Sequence, residues 1–111
     1  MLESILGSAS AERVLMFIAV RSEGYATEIA RFFDTDLYGI QRQIEKFEEG
    51  GVLAGQDKGR TRLYAFSPRY PFREELVALL MKAFGRYPEE EQERLQMTRQ
   101  RPRRKGKPLD I

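Results

Sequence analysis

The sequence LYGIQRQIEKFEEGGVL, which spans residues 37–53, contains the clearest structural pattern in the chain. Its apolar side chains Leu37, Ile40, Ile44 and Phe47 follow one another at intervals of three, four and three positions. That spacing places them on one face of an α-helix and leaves polar side chains on the other faces. The pattern predicts an amphipathic helix with one buried face.

Both ends of this helix carry residues that favour its termination. Asp36 precedes the first apolar residue, where its carboxylate can accept hydrogen bonds from backbone N–H groups of the first turn. Gly50-Gly51 follows the last charged residues, and glycine readily adopts the left-handed conformation that ends helices. These caps predict a helix over residues 37–49.

Two helices are predicted before it. The first spans residues 9–21, with Ser8 as its N-cap and Glu12 in its first turn, where a negative charge suits the helix dipole. The apolar run over residues 14–20 also fits a β-strand. A helix is favoured because the apolar residues then share one face. The second predicted helix spans residues 26–33.

A β-hairpin and a further helix are predicted after the glycine pair. Strands at residues 52–56 and 61–66 flank the turn Asp57-Lys58-Gly59-Arg60. Pro71 then starts a helix over residues 72–84, whose apolar residues cover more than one stripe. A second subunit would cover the side that does not pack on the domain, and the alternative is that the tail or the N-terminus covers it. The predicted fold class is mostly α with a small β-hairpin (α+β), in the order α-α-α-β-β-α plus a C-terminal tail.

This order, with a tight turn at Asp34 and a basic hairpin tip, resembles the winged helix-turn-helix transcriptional regulators of bacteria and archaea, especially the ArsR-like group. The resemblance covers roughly residues 5–84, and residues 40–53 look like the recognition helix running into the first strand of the wing. Asp34 stands where the family often has glycine, and Asp36 stands where its N-cap is commonly serine. The metal-sensing members use Cys and His ligands, which this chain lacks.

The resemblance implies a sequence-specific DNA-binding transcriptional regulator that acts as a homodimer on double-stranded DNA. Helix 37–49 would enter the major groove, the wing at residues 57–62 would lie on the DNA backbone, and helix 71–84 would form the dimer. Arginine pairs with guanine, glutamine pairs with adenine, and basic side chains neutralise phosphates. The candidate DNA-binding residues are Tyr38, Gly39, Gln41, Arg42, Lys46, Lys58, Arg60 and Arg62.

The composition excludes several kinds of chemistry. The chain of 111 residues has no Cys and no His, which excludes disulfides, thiolate or imidazole metal sites and histidine-dependent nucleophiles. We therefore expect no enzyme activity, no catalytic residues, no metal and no cofactor. The longest apolar run has seven residues, whereas a membrane-spanning helix needs about 20. No cationic signal-peptide start is visible, and the expected location is cytoplasmic.

The charge distribution leaves other functions open. Residues 36–66 contain five basic and five acidic side chains, so the predicted DNA-binding segment has no net charge. Such a surface also fits a winged-helix protein-interaction module or an antitoxin-like adaptor that binds a protein partner. The candidate side chains equally fit an ordinary solvated helix face.

The C-terminal part is predicted to be separate from the folded unit. We place the domain in residues 1–85 and a short helix with a basic flexible tail in residues 86–111. The short helix begins at Pro88 and contains few apolar residues with which to pack. The basic segment 99–107 could lie along nucleic-acid phosphates, and an RNA-binding protein that uses this tail is a third possibility.

Overall fold

The computed structural model describes residues 1–97 and contains six helices and three strands within that range. The basic segment 99–107 lies outside the described residues. The elements in chain order are α1 (Glu3–Leu6), α2 (Ala9–Arg21), β1 (Gly24–Tyr25), α3 (Ala26–Phe32), α4 (Leu37–Glu49), β2 (Leu53–Lys58), β3 (Thr61–Phe66), α5 (Arg73–Phe84) and α6 (Glu89–Gln96).

Helix α2 occupies the centre of the core. Ser8 caps it as predicted, because its Oγ accepts a hydrogen bond from the Ala11 N–H over 3.0 Å. Residues 14–18 are all buried, since α4, α5 and α6 each pack against this helix. A helix that is surrounded on all sides has no polar stripe, which explains why the sequence of this segment also fitted a strand.

Helices α3 and α4 form the helix-turn-helix. Helix α4 has the predicted bounds, and Asp36 Oδ2 accepts a hydrogen bond from the Gly39 N–H over 3.3 Å. Ile40 and Ile44 are buried against the core. Asp34 adopts a φ of 51° in the turn between the two helices, a conformation that aspartate tolerates better than most residues.

The three strands form an antiparallel sheet in the order β1-β3-β2. Strands β2 and β3 form the predicted hairpin, with Leu53 opposite Phe66 and Lys58 opposite Thr61. The first strand extends to residue 58 and not to 56 as predicted, because residues 57 and 58 pair with β3, and the turn contains only residues 59 and 60. Strand β1 was not predicted; its two residues pair with β3 and anchor the base of the hairpin. Gly24 is required there, because a Cβ would lie 2.8 Å from the Phe17 ring.

Helix α6 runs beside α2 in the same direction and packs on the core. Leu95 is completely buried, and the Arg21 side chain donates hydrogen bonds to the Leu95 and Arg94 carbonyls over 2.9 and 3.1 Å. Arg94 in turn donates to the Phe32 carbonyl at the end of α3. The expectation that this helix has little to pack was therefore wrong, because one leucine and two arginines hold it in place.

Glu12 joins the N-terminal end of α2 to the segment between α5 and α6. Its side chain is almost fully buried, and it accepts hydrogen bonds from the Leu2 N–H over 2.7 Å and from the Tyr87 hydroxyl. Burial, together with this bond to Glu12, raises the pKa of Tyr87 above its usual value of 10.0. Helix α1, which was not predicted, is held against α2 by the same carboxylate through Leu2.

Candidate nucleic-acid interface

The solvent-facing side of α4 carries a paired tyrosine and arginine. Tyr38 is 62% exposed, and the Arg42 guanidinium lies one helical turn further on. Arg42 Nη1 donates a hydrogen bond to the Tyr38 hydroxyl over 3.2 Å, and its Cζ lies 5.7 Å from the centre of the tyrosine ring. This bond raises the pKa of Arg42 above its usual value. The contact orients a permanently charged donor fork on the exposed face.

Two predicted residues lie on the flank of α4 that faces the N-terminal helices. A Cβ at Gly39 would lie 3.7 Å from Ser10 Oγ, so this glycine lies beside the start of α2. Lys46 Nζ donates a hydrogen bond to the Leu6 carbonyl over 3.3 Å. Lys46 is exposed, but its ammonium group is already hydrogen-bonded to a carbonyl at the C-terminal end of α1. Gly39 and Lys46 therefore lie at the edge of the α4 face that is predicted to contact DNA bases.

The other flank of α4 faces the hairpin. Gln41 lines a groove between α4 and the wing, together with Thr27, Arg60, Arg62 and Tyr64. A nucleic-acid strand in this groove would meet an amide, hydroxyl groups and two arginine side chains. The structure thus brings two of the predicted residues, Gln41 and Arg60, together on one continuous surface.

Lys58 and Arg60 form the basic tip of the wing. Both are exposed, and Gly59 between them adopts a φ of 63°, which allows the chain to reverse in a two-residue turn. Within the described part of the chain neither side chain forms an ion pair. These two cations are available for phosphate groups.

Arg62 differs from the other wing cations because it is already paired. Its Nη2 lies 2.7 Å from Glu48 Oε2 on α4, and its Nη1 lies 2.9 Å from Asp57 Oδ1 on the neighbouring strand. The two carboxylates raise the pKa of Arg62 above its usual value. The structure therefore places Arg62 between the wing and α4, away from the free wing tip.

Carboxylates share the exposed face of α4 with Arg42, which the sequence reasoning did not emphasise. Glu45 and Glu49 line the same surface depression as Tyr38 and Arg42. The signal was present in the sequence, because residues seven positions apart, such as 42 and 49, lie on the same helix face. The candidate surface combines Arg42, which is bonded to Tyr38, with two carboxylates that form no ion pair in the described part of the chain.

Helix α5 buries one side and exposes the other. Leu80 and Phe84 pack into the core, while Phe72, Leu79 and Met81 are 60%, 38% and 40% exposed. The broad apolar pattern of this helix thus corresponds to two different surfaces.

Among residues 1–97, no helix is long and apolar enough to cross a membrane, and no cluster of three or more acidic side chains could hold a metal ion.

Comparisons with solved structures show the fold. A variant of ZitR from Lactococcus lactis aligns at 15% identity with a TM-score of 0.51, over 78% of this chain and 66% of that one. A second ZitR variant aligns at 14% identity and 0.50, over 77% and 66%. AdcR, the adhesin competence repressor from Streptococcus pyogenes, aligns at 12% identity and 0.50, over 83% and 78%.

These likenesses confirm the predicted winged-helix fold class. The chain spans about two thirds of the length of ZitR, which is a zinc-responsive MarR family member. No protein-family model and no curated protein sequence matches the chain. Membership of the ArsR-like group and DNA contact by the eight candidate residues stay predictions.

Proposed function

We propose that this protein is a sequence-specific DNA-binding transcriptional regulator and has no enzyme activity. The observation that carries the proposal is the exposed Tyr38–Arg42 pair on α4 beside a wing tip whose Lys58 and Arg60 form no ion pair within residues 1–97. Arg42 would read guanine in the major groove and Gln41 would read adenine, while the wing cations contact phosphates. Such a regulator would act in the cytoplasm.

Proteins of similar fold support the regulator class. AdcR is a repressor, and ZitR is responsive to zinc. This chain contains neither Cys nor His, so its regulation would not use zinc ligands of those types. We retain the ArsR-like group as the proposed relationship, on the residues of the recognition helix and the wing.

The proposed regulator is a homodimer formed through α5. Leu79 and the N-cap residue Phe72 expose apolar surface on one flank of the buried stripe of α5, and Met81 exposes apolar surface on the other flank. A second copy would bury this surface and present two α4 helices to DNA, as two-fold regulators do. The winged-helix domain would comprise residues 1–85, although Leu95 of α6 also belongs to its core.

Selection of DNA ligands from a random pool tests the proposal. We expect the purified protein to enrich a sequence motif with two-fold symmetry, and its mass in solution to be that of two chains. Enrichment of no motif at low salt would contradict the DNA-binding function. A monomeric mass with an enriched single half-site would contradict the dimer alone.

A second candidate function is a protein-interaction or adaptor module. Glu45 and Glu49 favour it, because carboxylates on the central face of α4 repel DNA phosphates unless they accept a hydrogen bond from a base. A partner with basic side chains would complement this face. Failure to bind DNA, together with loss of a protein complex on Glu45→Lys, would support this module.

A further inference from the structure

Arg62 crosses the hairpin to reach the recognition helix. It lies on β3 opposite Asp57 of β2, yet its guanidinium also contacts Glu48 of α4. The side chain therefore passes over β2 and joins three elements, namely both strands of the wing and α4. One end of an arginine fork can bind one carboxylate while the other end binds a second, which a lysine ammonium does less rigidly.

Gly55 makes this crossing possible. A Cβ at this position would lie 2.4 Å from Arg62 Nε and 2.8 Å from its Cζ, which is closer than non-bonded atoms approach. It would also lie 2.9 Å from Tyr64 Cε1, so Arg62→Lys is the variant that changes Arg62 without displacing the tyrosine ring. The Arg62 side chain thus lies directly over the bare backbone of Gly55. Glycine weakens a strand interior, so its presence at the centre of β2 indicates that the close approach of another group is needed there.

We propose that Glu48, Gly55 and Arg62 are positioning residues that fix the wing relative to α4. The wing tip must meet the DNA backbone while α4 occupies the major groove, so the distance between the two elements determines whether both bind together. Arg62 would then act on DNA binding through the placement of Lys58 and Arg60. This inference rests on the proposed function only for its effect on DNA binding.

Two substitutions break the bridge that Arg62 forms between Glu48 and Asp57 without changing the net charge. Gly55→Ala forces the Arg62 side chain to move away, because the flexible arginine yields more easily than the backbone. Arg62→Lys keeps the cation but loses the fork that joins Glu48 to Asp57. Gly85→Ala is the matched control, since its Cβ would meet only backbone oxygens at ordinary distances of 3.6 and 3.9 Å.

The first measurement uses the free protein. NMR order parameters of backbone amides at the wing tip should fall in Gly55→Ala and in Arg62→Lys, and should stay at the wild-type values in Gly85→Ala. Order parameters that are unchanged in both test variants would overturn the proposal. This result does not depend on whether the protein binds DNA, so it separates failure of the bridge from failure of the proposed function.

The second measurement uses DNA from the selection experiment. Gly55→Ala and Arg62→Lys should weaken binding about twofold to fivefold, as expected for the loss of partly exposed ion pairs, with the salt dependence unchanged. If Arg62 contacted phosphate directly, the change in DNA affinity on Gly55→Ala would have the opposite sign. The substitution would release Arg62 from Glu48, and binding would tighten. Tighter or unchanged binding would overturn the positioning role.

Discussion

The face formed by α4 and the wing differs from the junction between α2 and α6 in the way it uses charged residues. At the junction, Glu12 is 5% exposed and its oxygens accept hydrogen bonds from Leu2 and Tyr87. On the α4 face, Arg42 is exposed, and among residues 1–97 its side chain bonds only to Tyr38 of the same helix. Charges at the junction hold elements of the fold together, whereas charges on the face remain accessible to another molecule.

The difference shows that a charged residue indicates function only when its partners are known. Arg21 and Arg94 carry the same charge as Arg42, but they donate to backbone carbonyls that end helices. A buried polar group that loses its partner is costly, while an exposed one remains hydrated. We therefore expect substitutions at the junction to change stability and substitutions on the face to change binding.

The largest effect is expected for Leu95→Ala. Removing this completely buried side chain should lower the free energy of unfolding by about 2–4 kcal/mol, because α6 loses its main apolar contact with α2. Urea denaturation measures the change. Ile5→Ala, at a 68% exposed position on α1 outside the proposed dimer surface, is the matched control and should cost less than about 1 kcal/mol. Equal losses would contradict the role of α6.

Glu12→Ala should lower the free energy of unfolding by about 1–3 kcal/mol. The substitution leaves the Leu2 N–H and the Tyr87 hydroxyl without their acceptor. Glu23→Ala is the control, because Glu23 is exposed and should change stability by less than about 0.5 kcal/mol. A Glu12 variant as stable as the control would show that the buried carboxylate contributes no net stability.

Arg42→Ala should weaken binding to selected DNA by about 1–3 kcal/mol and leave unfolding unchanged. The reason is that Arg42 is exposed and no element of the core depends on it. Fluorescence anisotropy gives the affinity, and thermal unfolding gives the control. Affinity equal to that of the wild type would remove Arg42 from the interface.

Lys58→Gln combined with Arg60→Gln should reduce the slope of log affinity against log salt by about two. Each unpaired cation at the wing tip would release about one counterion on phosphate contact. Titrations between low and moderate salt measure the slope, and the exposed pair Lys82→Gln with Arg86→Gln, outside the wing, serves as a charge-matched control. A slope that is the same in the double variant and the control would place the wing tip away from DNA.

The smallest effect concerns pH. The raised pKa of Tyr87 means that the folded state favours the neutral phenol, so its contribution to stability is complete below the usual pKa of 10.0 and is lost as pH rises further. The free energy of unfolding should fall more steeply above pH 10 in the wild type than in Tyr87→Phe. Parallel pH profiles for the two proteins would contradict this contribution.

Local patterns predicted the helix-turn-helix and the hairpin. Helix α4 was correct at both ends, because its apolar spacing and the Asp36 cap are properties of neighbouring residues. The predicted bounds of helix α2 were also correct, and its start was recognisable from the local N-cap Ser8. Strand β1 was missed, because a two-residue strand exists only through its pairing with β3.

Contacts between distant residues were beyond the reach of the sequence pattern. Leu95 is an isolated apolar residue in a charged helix, so no periodicity indicated that it is buried. Glu12 fits the first turn of any helix, and only its position against Tyr87 shows its second role. Arg62 was predicted to bind DNA from its place beside the turn, and its partner Glu48 lies on another element.

The burial of Leu95 also decides where the chain can be shortened. Removal of everything after Gly85 would take away α6, uncover part of α2 and leave the Arg21 guanidinium without two of its carbonyl acceptors. Lost nucleic-acid binding in such a protein would reflect a damaged scaffold as much as a missing basic segment. Ending the chain after Met97 keeps the contacts that α6 makes within residues 1–97 and removes the basic segment 99–107, so that deletion tests the contribution of this segment.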